Sequence, residues 1–224
     1  MTPRATVADV AERWPVSRHA RLARGAVAAF DEDMVTTPDG QRLTRQYLRH
    51  PGSVAVIALD ADDRVAVVHQ YRHAVTMRLV EPPAGLLDKP GEAPWDAARR
   101  ELAEEAGLAA DDWRVLADFC SSPGISQEVC RIYLARGLRQ VGRPAGFVAD
   151  GEETDMGLAW IALDDILAAV RAGRVANVAL AFGCTSLALA RATGDVDGLR
   201  AADAAWPAWQ NKADQDEWLA GMGA

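Results

Sequence analysis

Hydrophobic and polar positions alternate with a strand-like period along the first part of the chain. Residues 16–49 contain two such runs, separated by the sequence Thr-Pro-Asp-Gly at 37–40. Pro38 presets φ and Gly40 tolerates positive φ, which makes this tetrapeptide a turn. We therefore predict an antiparallel hairpin here, preceded by a loose arm over residues 1–15.

The next two apolar runs are rich in β-branched residues. They cover residues 53–60 and 64–72 and are joined by an Ala-Asp-Asp turn, which predicts a second hairpin. Residues 79–86 contain two prolines, which forbid a helix, so we expect an extended segment there.

The period then becomes helical over residues 94–106. Pro94 stands in the first turn and Gly107 directly follows the last helical residue, as is usual at helix ends. Downstream, strand-like and then helical segments follow at 113–120, 129–138, 157–163, 163–173 and 175–192. This order predicts an α/β protein in which a mixed sheet is flanked by helices.

Composition narrows the classes of function. The 224 residues include 24 Lys and Arg against 32 Asp and Glu, a net charge of −8. Non-specific nucleic-acid binding depends on neutralising phosphates, so an acidic chain is a poor candidate for it. An acidic protein that handles phosphates needs cations to do so.

Cysteine usage and hydropathy predict a compartment. The three cysteines form no C-x-x-C pair, and we expect them to be small buried hydrophobic residues in a reducing environment. The first 15 residues contain no signal-type apolar run. The most apolar stretch, residues 175–190, is too short and too mixed to span a bilayer. We expect a cytoplasmic protein without membrane contact.

Three acidic residues crowd one face of the helix predicted at 94–106. Glu101, Glu104 and Glu105 stand at i, i+3 and i+4, where like charges repel, and they face the negative end of the helix dipole. Arg100 can offset part of this cost by pairing with Glu104. A divalent cation would compensate the rest, and hard oxygen ligands favour Mg²⁺ or Mn²⁺. The alternative is an ordinary solvated acidic helix face.

Residues around this acidic run extend it into a longer motif. Gly85 and Glu92 precede it, Arg100 adjoins it and Gly107-Leu108 closes it. The whole resembles the Nudix box, G-x5-E-x7-R-E-U-x-E-E-x-G-U, where U is a bulky aliphatic residue. One departure stands out: six residues separate Gly85 from Glu92 where the pattern has five, and a loop absorbs one extra residue at little cost.

The resemblance implies a fold and a domain organisation. The fold would be a Nudix-type α/β/α sandwich with a mixed sheet, preceded by a small N-terminal antiparallel sheet. Residues 1–50 would form an arm and hairpin used for dimerisation, 51–195 the hydrolase domain and 196–224 a C-terminal tail. A homodimer is therefore expected, with the substrate pocket shared between protomers.

The resemblance also implies a metal site. Glu101, Glu104 and Glu105 would hold Mg²⁺, with Mn²⁺ as a possible substitute, helped by the backbone carbonyl of Ala84. Arg100 would orient the carboxylates, and Glu92 would brace the junction between loop and helix. Because a diphosphate brings several negative charges into an acidic site, metal ions must screen them, and they also activate water.

Segments outside the box resemble the ADP-sugar pyrophosphatase branch, whose substrates are nucleoside diphosphate sugars. Pro123 and Gly124 lie in S-S-P-G-I-S-Q-E, about 15 residues after the box, although Pro-Gly is also an ordinary turn. In the same segment, Glu128 is expected to contact the substrate ribose or a metal-bound water. The expected products of ADP-ribose hydrolysis are AMP and ribose 5-phosphate.

Two further segments of that branch supply candidate residues. In Q-Y-R-H and E-P-P-A-G, Arg72 is a candidate for binding a phosphate and Glu81 for recognising the adenine or a ribose. In the acidic loop before the strand at 157, Glu152 or Glu153 would act as general base or as a further metal ligand, and the sequence does not separate them. Each assignment has an ordinary alternative. Arg72 could simply be a charged residue at a strand end, and the acidic loop could be a solvated loop without a catalytic role.

Two rival functions stay open at this point. One is hydrolysis of another nucleoside diphosphate derivative, such as a GDP-sugar or a dinucleoside polyphosphate. The other is a non-catalytic ligand-binding module built on the same fold. Glu92 and all three glutamates of the acidic face are present, which disfavours the second.

Overall fold

The computed structural model describes residues 7–144 and 157–212, and the chain divides into two compact units. The first unit includes the chain up to His50, the short segment Ser122–Gln127 and the C-terminal part from Ala205. The second comprises Pro51–Ser121 and Glu128–Ala204.

The first unit contains a three-stranded antiparallel sheet, ordered β1-β2-β3. Its strands are β1 (Val16–Arg24), β2 (Ala29–Thr36) and β3 (Arg42–Arg49). The turn between β2 and β3 is closed by the Thr37 N–H, which donates to the Gln41 carbonyl at 2.9 Å. The predicted hairpin is confirmed in β2 and β3, and β1 adds a third strand. The expected small N-terminal antiparallel sheet is thus present.

The described residues of the second unit form two sheets and three α-helices. The five-stranded mixed sheet has the order β11-β8-β9-β4-β7, and the three-stranded antiparallel sheet has the order β10-β5-β6. The strands are β4 (Ser53–Ala58), β5 (Arg64–Arg72), β6 (Met77–Glu81), β7 (Ala84–Leu86), β8 (Leu108–Cys120), β9 (Val129–Gln140), β10 (Gly157–Ala162) and β11 (Arg200–Ala201). The helices are α1 (Pro94–Ala106), α2 (Leu163–Arg171) and α3 (Val178–Ala192).

The prediction that residues 53–60 and 64–72 form a hairpin is wrong except at the turn that joins them. β4 and β5 meet only at the bridge between Leu59 and Val65 and then separate into different sheets. β4 pairs with β7 and, in parallel, with β9, whereas β5 lies between β6 and β10. Both strands are apolar on both faces, as expected of strands buried on two sides rather than of an isolated hairpin.

The helices cover opposite faces of β4. Val54 and Val56 pack with α1, whereas Ala55 and Ile57 pack with α2 and α3. Successive strand residues point to opposite faces, so α1 lies on one side and α2 and α3 lie on the other. This is the expected α/β/α sandwich. Gly183 lets α3 approach closely, since a Cβ there would come within 2.7 Å of Ile57.

The sequence predicts buried cysteines and no membrane-spanning segment. Cys130 and Cys184 are buried, as predicted, but Cys120 is exposed because it is the last residue of β8, where the strand leaves the core. Within the described part of the chain, no helix is both long enough and apolar enough to cross a bilayer.

Candidate active site

Helix α1 carries the acidic face and fixes its orientation. Pro94 occupies the first turn, and Gly107 ends the helix with φ of 65° in the left-handed region. Ala98 and Leu102 are completely buried and anchor the helix against the core, and Glu105 is buried on the same side. The sequence prediction of this helix is confirmed at both ends.

Arg100 is the centre of the charged cluster. Its Nε and Nη2 atoms donate to the two carboxylate oxygens of Glu92, each at 2.9 Å. Its Nη1 atom donates to Glu101 at 2.5 Å and to Glu104 at 3.0 Å. One guanidinium therefore ties the loop residue Glu92 to two glutamates of α1, and the predicted pairing of Arg100 with Glu104 is present.

Glu105 lies on the sheet side of the same helix. Its side chain is buried, and its Oε2 atom accepts a hydrogen bond from the backbone N–H of Ala84 at 3.0 Å. Ala84 begins β7 and is paired with Ala55 of β4. The backbone proposed as a metal ligand is therefore next to one of the proposed carboxylate ligands.

Gly85 approaches α1 so closely that no side chain fits at this position. A Cβ atom there would collide with the carboxylate group of Glu101. The first glycine of the motif therefore has a steric reason: β7 must come directly against the acidic face of α1. The contact brings the backbone at positions 84 and 85 together with Glu101 and Glu105.

Burial and charge act in opposite directions on the ionisable groups of this cluster. Burial raises the pKa of Glu101 to about 7, although Arg100 opposes the shift. The hydrogen bonds from Arg100 lower the pKa of Glu92, which stays ionised. The same hydrogen bonds raise the pKa of Arg100, so the guanidinium is a permanent cation.

The donor set suits a hard divalent cation. Oxygens of Glu101 and Glu104 converge on the same Nη1 atom of Arg100, and Glu105 and the Ala84 backbone adjoin them. Within the described ranges no three carboxylate, His or Cys side chains are already gathered as a metal cage. That is compatible with Mg²⁺, which keeps several waters and usually takes only one or two carboxylates together with substrate phosphates.

A second ion pair joins Arg72 of β5 and Glu81 of β6. The Nε atom of Arg72 donates to Oε1 of Glu81 at 3.0 Å, and its Nη2 atom donates to Oε2 at 2.6 Å. Glu81 is buried, whereas Arg72 is partly exposed. Both residues belong to the second unit, as does the cluster around Arg100.

Glu128 is held by two hydroxyl groups. Its carboxylate accepts hydrogen bonds from Ser53 at 3.1 Å and from Ser121 at 2.7 Å. Neither serine was among the residues predicted from the sequence. The only available signal was the position of Ser121 in the same S-S-P-G segment, and Ser53 is 75 residues away in the chain.

Pro123 and Gly124 belong to the first unit, where they line a cavity of about 250 Å³. Arg45, Gln46 and Tyr47 of β3 form part of the same cavity. The segment is attached to β3 by backbone hydrogen bonds between Leu48 and residues 125 and 127. Sequence reasoning missed these three β3 residues, because the pairing of β3 with the Pro-Gly segment has no local signal. Glu152 and Glu153 lie outside the described residues.

Comparison with known proteins gives a family and several relatives. Residues 49–179 match the NUDIX domain profile. An ADP-ribose pyrophosphatase from Mycobacterium tuberculosis is 45% identical over 156 residues, which cover 70% of this chain and 74% of that protein. A methanol dehydrogenase activator from Bacillus methanolicus is 36% identical over 155 residues, covering 69% of this chain and 82% of its own length.

A solved structure resembles the fold. The crystal structure of an ADP compounds hydrolase superposes with a TM-score of 0.67 at 18% identity, covering 84% of this chain and all of that one. At this identity the likeness concerns the fold.

Proposed function

The chain belongs to the NUDIX family, and from this premise we propose that it hydrolyses the diphosphate bond of ADP-ribose or a related ADP-sugar, giving AMP and a sugar phosphate. The observation that carries the proposal is the cluster in which Arg100 holds Glu92, Glu101 and Glu104 beside the backbone of β7. The Mycobacterium tuberculosis relative, named for hydrolysis of ADP-ribose, supports the choice of substrate.

Mg²⁺ is the proposed cofactor, with Mn²⁺ as a substitute. Glu101, Glu104 and Glu105 would hold it together with the carbonyl of Ala84. When bound, such an ion activates water and neutralises charge on phosphoryl oxygens. Arg100 keeps two of these carboxylates in place through charge-assisted hydrogen bonds.

Other residues would bind the substrate. Arg72 would contact a phosphate, and Glu128, held by its two serines, would accept a hydrogen bond from a ribose hydroxyl. Pro123 and Gly124 would line the substrate pocket. A carboxylate of the acidic loop, Glu152 or Glu153, would take the proton from the attacking water.

A second candidate function is activation of a dehydrogenase. The Bacillus methanolicus relative, which is named as a methanol dehydrogenase activator, suggests it. The intact carboxylate cluster favours hydrolysis as the chemistry in either case. Hydrolysis of a GDP-sugar or of a dinucleoside polyphosphate and non-catalytic binding are the remaining alternatives. We also propose a homodimer, which light scattering on the purified protein tests directly.

A substrate panel tests the proposed activity. ADP-ribose, a GDP-sugar and a dinucleoside polyphosphate are incubated with the protein and Mg²⁺, with and without EDTA, and the released nucleotides are separated by chromatography. We expect AMP from ADP-ribose as the fastest product and no release with EDTA. Faster release from another substrate would overturn the choice of substrate, and no release from any of them would favour the binding module.

Variants connect the activity to the cluster. Glu105→Gln should abolish AMP release, because the carboxylate that accepts from Ala84 would lose its charge. Asp96→Asn is the matched control, since Asp96 lies on the exposed side of the same helix and pairs only loosely with Arg99 at 3.6 Å. The control should retain the wild-type rate.

A further inference from the structure

The loop between β7 and α1 is one residue longer than in the Nudix pattern, and it carries Lys89. The N–H of Glu92 donates to the Lys89 carbonyl at 3.2 Å, which closes a four-residue turn. Pro90 and Gly91 occupy the two central positions, and Gly91 has φ of 77°, as in a type II turn. A tight, closed turn therefore takes up the longer loop.

Both ends of this turn are fixed. On the strand side, the Leu87 N–H donates to the Gly52 carbonyl at 3.0 Å. On the helix side, the Glu92 carboxylate accepts two hydrogen bonds from Arg100, each at 2.9 Å. The first and last Cα atoms of a β-turn are less than about 7 Å apart. The backbone of Lys89 is therefore held close to Glu92 and to the cluster around Arg100.

The side chain of Lys89 places a positive charge beside this cluster. The residue is exposed, and within the described part of the chain no carboxylate forms an ion pair with its ammonium. Burial raises the pKa of Glu101, and the hydrogen bonds from Arg100 lower that of Glu92. The charge of Lys89 further lowers the pKa of both carboxyl groups, which indicates that the ammonium lies near them.

A phosphate is the partner that this ammonium fits. The glutamates of the cluster accept from Arg100 or from the Ala84 backbone instead. An ammonium on a flexible four-carbon stem binds a phosphate as a point charge. We infer that Lys89 is a substrate-binding residue whose ammonium contacts a phosphate oxygen of the diphosphate. This inference rests on the proposed function, since it concerns the substrate of the same site.

The rival role for Lys89 is a counter-charge that only offsets the glutamates. In that role, Lys89→Gln would strengthen Mn²⁺ binding and would affect an anion only through long-range attraction. Long-range attraction is screened in about 0.5 M KCl, where the Debye length is about 4 Å. A phosphate contact predicts weaker anion binding that persists at this salt concentration, without weaker Mn²⁺ binding.

Calorimetric titration separates the two roles. The probes are Mn²⁺ alone and a methylene-bridged, non-hydrolysable analogue of ADP-ribose with saturating Mg²⁺. For Lys89→Gln we expect the Kd of the analogue to rise at least about fivefold, as for the loss of a charge-assisted hydrogen bond, and to stay raised at least about threefold in 0.5 M KCl. The Kd of Mn²⁺ should be unchanged or lower. Lys89→Arg keeps the charge and should bind the analogue within about twofold of wild type.

Arg99→Gln is the matched control for the loss of one positive charge. Arg99 is an exposed residue of α1 that pairs only loosely with Asp96, at 3.6 Å, so both Kd values should stay unchanged. Equal binding of the analogue by Lys89→Gln and wild type would overturn the inference. So would a loss that disappears at high salt, an equal loss in Arg99→Gln, weaker Mn²⁺ binding by Lys89→Gln, or no binding of the analogue by the wild type.

Nuclear magnetic resonance observes the contact without a substitution at Lys89. The sequence contains two lysines, Lys89 and Lys212. Reductive methylation with ¹³C-formaldehyde keeps the charge of each methylated ammonium and adds methyl signals, and Lys89→Arg identifies the signal of Lys89. With Mg²⁺ present, this signal should shift on addition of the analogue and saturate at the Kd found by calorimetry. An unchanged Lys89 signal at saturation would overturn the inference, even if a variant failed to fold.

Failure of this inference and failure of the proposed function have different signatures. If the wild type binds the analogue through Lys89 but hydrolyses no ADP-sugar, the proposed function is wrong and the phosphate contact stands. If the wild type releases AMP from ADP-ribose while Lys89→Gln binds the analogue normally, the phosphate contact alone is wrong.

Discussion

Gly85 lies directly against the carboxylate group of Glu101, so closely that the structure leaves no room for a Cβ atom at position 85. This contact joins β7 to the acidic face of α1. It explains why the motif begins with a glycine, since any other residue would push the strand away from the helix. The geometry of the proposed metal site therefore depends on a missing side chain as much as on the glutamates.

Replacing Gly85 by alanine should displace Glu101. We expect AMP release from ADP-ribose to fall at least about tenfold and the protein to lose about 1–3 kcal/mol of unfolding free energy, because the added methyl group overpacks a tight contact. Gly157→Ala is the matched control, since no atom of the described residues lies within 4 Å of a Cβ at that position. Equal activity and stability in Gly85→Ala and wild type would contradict the assigned contact.

Arg100 should be far less tolerant of lysine than its neighbour on the helix. Arg100→Lys loses the two parallel hydrogen bonds to Glu92 and cannot serve Glu101 and Glu104 at the same time. We expect kcat for the preferred substrate to fall about tenfold or more while the circular dichroism spectrum is unchanged. Arg99→Lys, on the exposed side of α1 beside Trp95, should behave as wild type.

The affinity for a divalent cation should depend on pH near neutrality. The pKa of Glu101 in the metal-free protein is raised by burial to about 7, so below that pH the side chain is protonated and must lose its proton to bind a cation. Calorimetric titrations with Mn²⁺ should show affinity that weakens as pH falls below 7 and levels off above it. The expected proton release is about one per site at pH 6. Affinity independent of pH between 5.5 and 8 would rule out a protonated Glu101.

A separate network stabilises the C-terminal part of the second unit. Asp118 of β8 accepts two hydrogen bonds from the buried Arg131 and one from Arg200 of β11. Asp118→Asn removes the carboxylate that pairs with the buried guanidinium of Arg131, and we expect the unfolding free energy measured by chemical denaturation to fall by about 3 kcal/mol. Asp111→Asn breaks an exposed ion pair with Arg139. It should lower the unfolding free energy by less than about 0.5 kcal/mol. Similar losses of unfolding free energy in the two variants would contradict the claim that the buried ion pair stabilises the protein more than the exposed one.

Local chemistry made some elements predictable. The bounds of α1 follow from Pro94 and Gly107, and its acidic face follows from the spacing of three glutamates. These features act within a few residues of one another, so the sequence expresses them directly. The same holds for the turn between β2 and β3, which Pro38 and Gly40 determine.

Long-range pairing was not predictable in the same way. The partners of β4 and β5 are set by which sheet each strand joins, and the short turn between them suggested a hairpin that does not form beyond one bridge. The contact of Arg72 with Glu81 requires the register of β5 and β6, and the serines that hold Glu128 come from distant parts of the chain. The roles assigned to Glu152 and Glu153 stay predictions, since both lie outside the described residues.

The central claim is that the carboxylates of α1 bind a divalent cation. Electron paramagnetic resonance of Mn²⁺ measures this binding directly, with wild type, Glu104→Gln and the control Asp96→Asn titrated at pH 8. We expect one or more bound ions in the wild type and the control, and an affinity at least about tenfold weaker in Glu104→Gln. Equal Mn²⁺ binding by all three proteins, or none by the wild type at millimolar Mn²⁺, would contradict the claim.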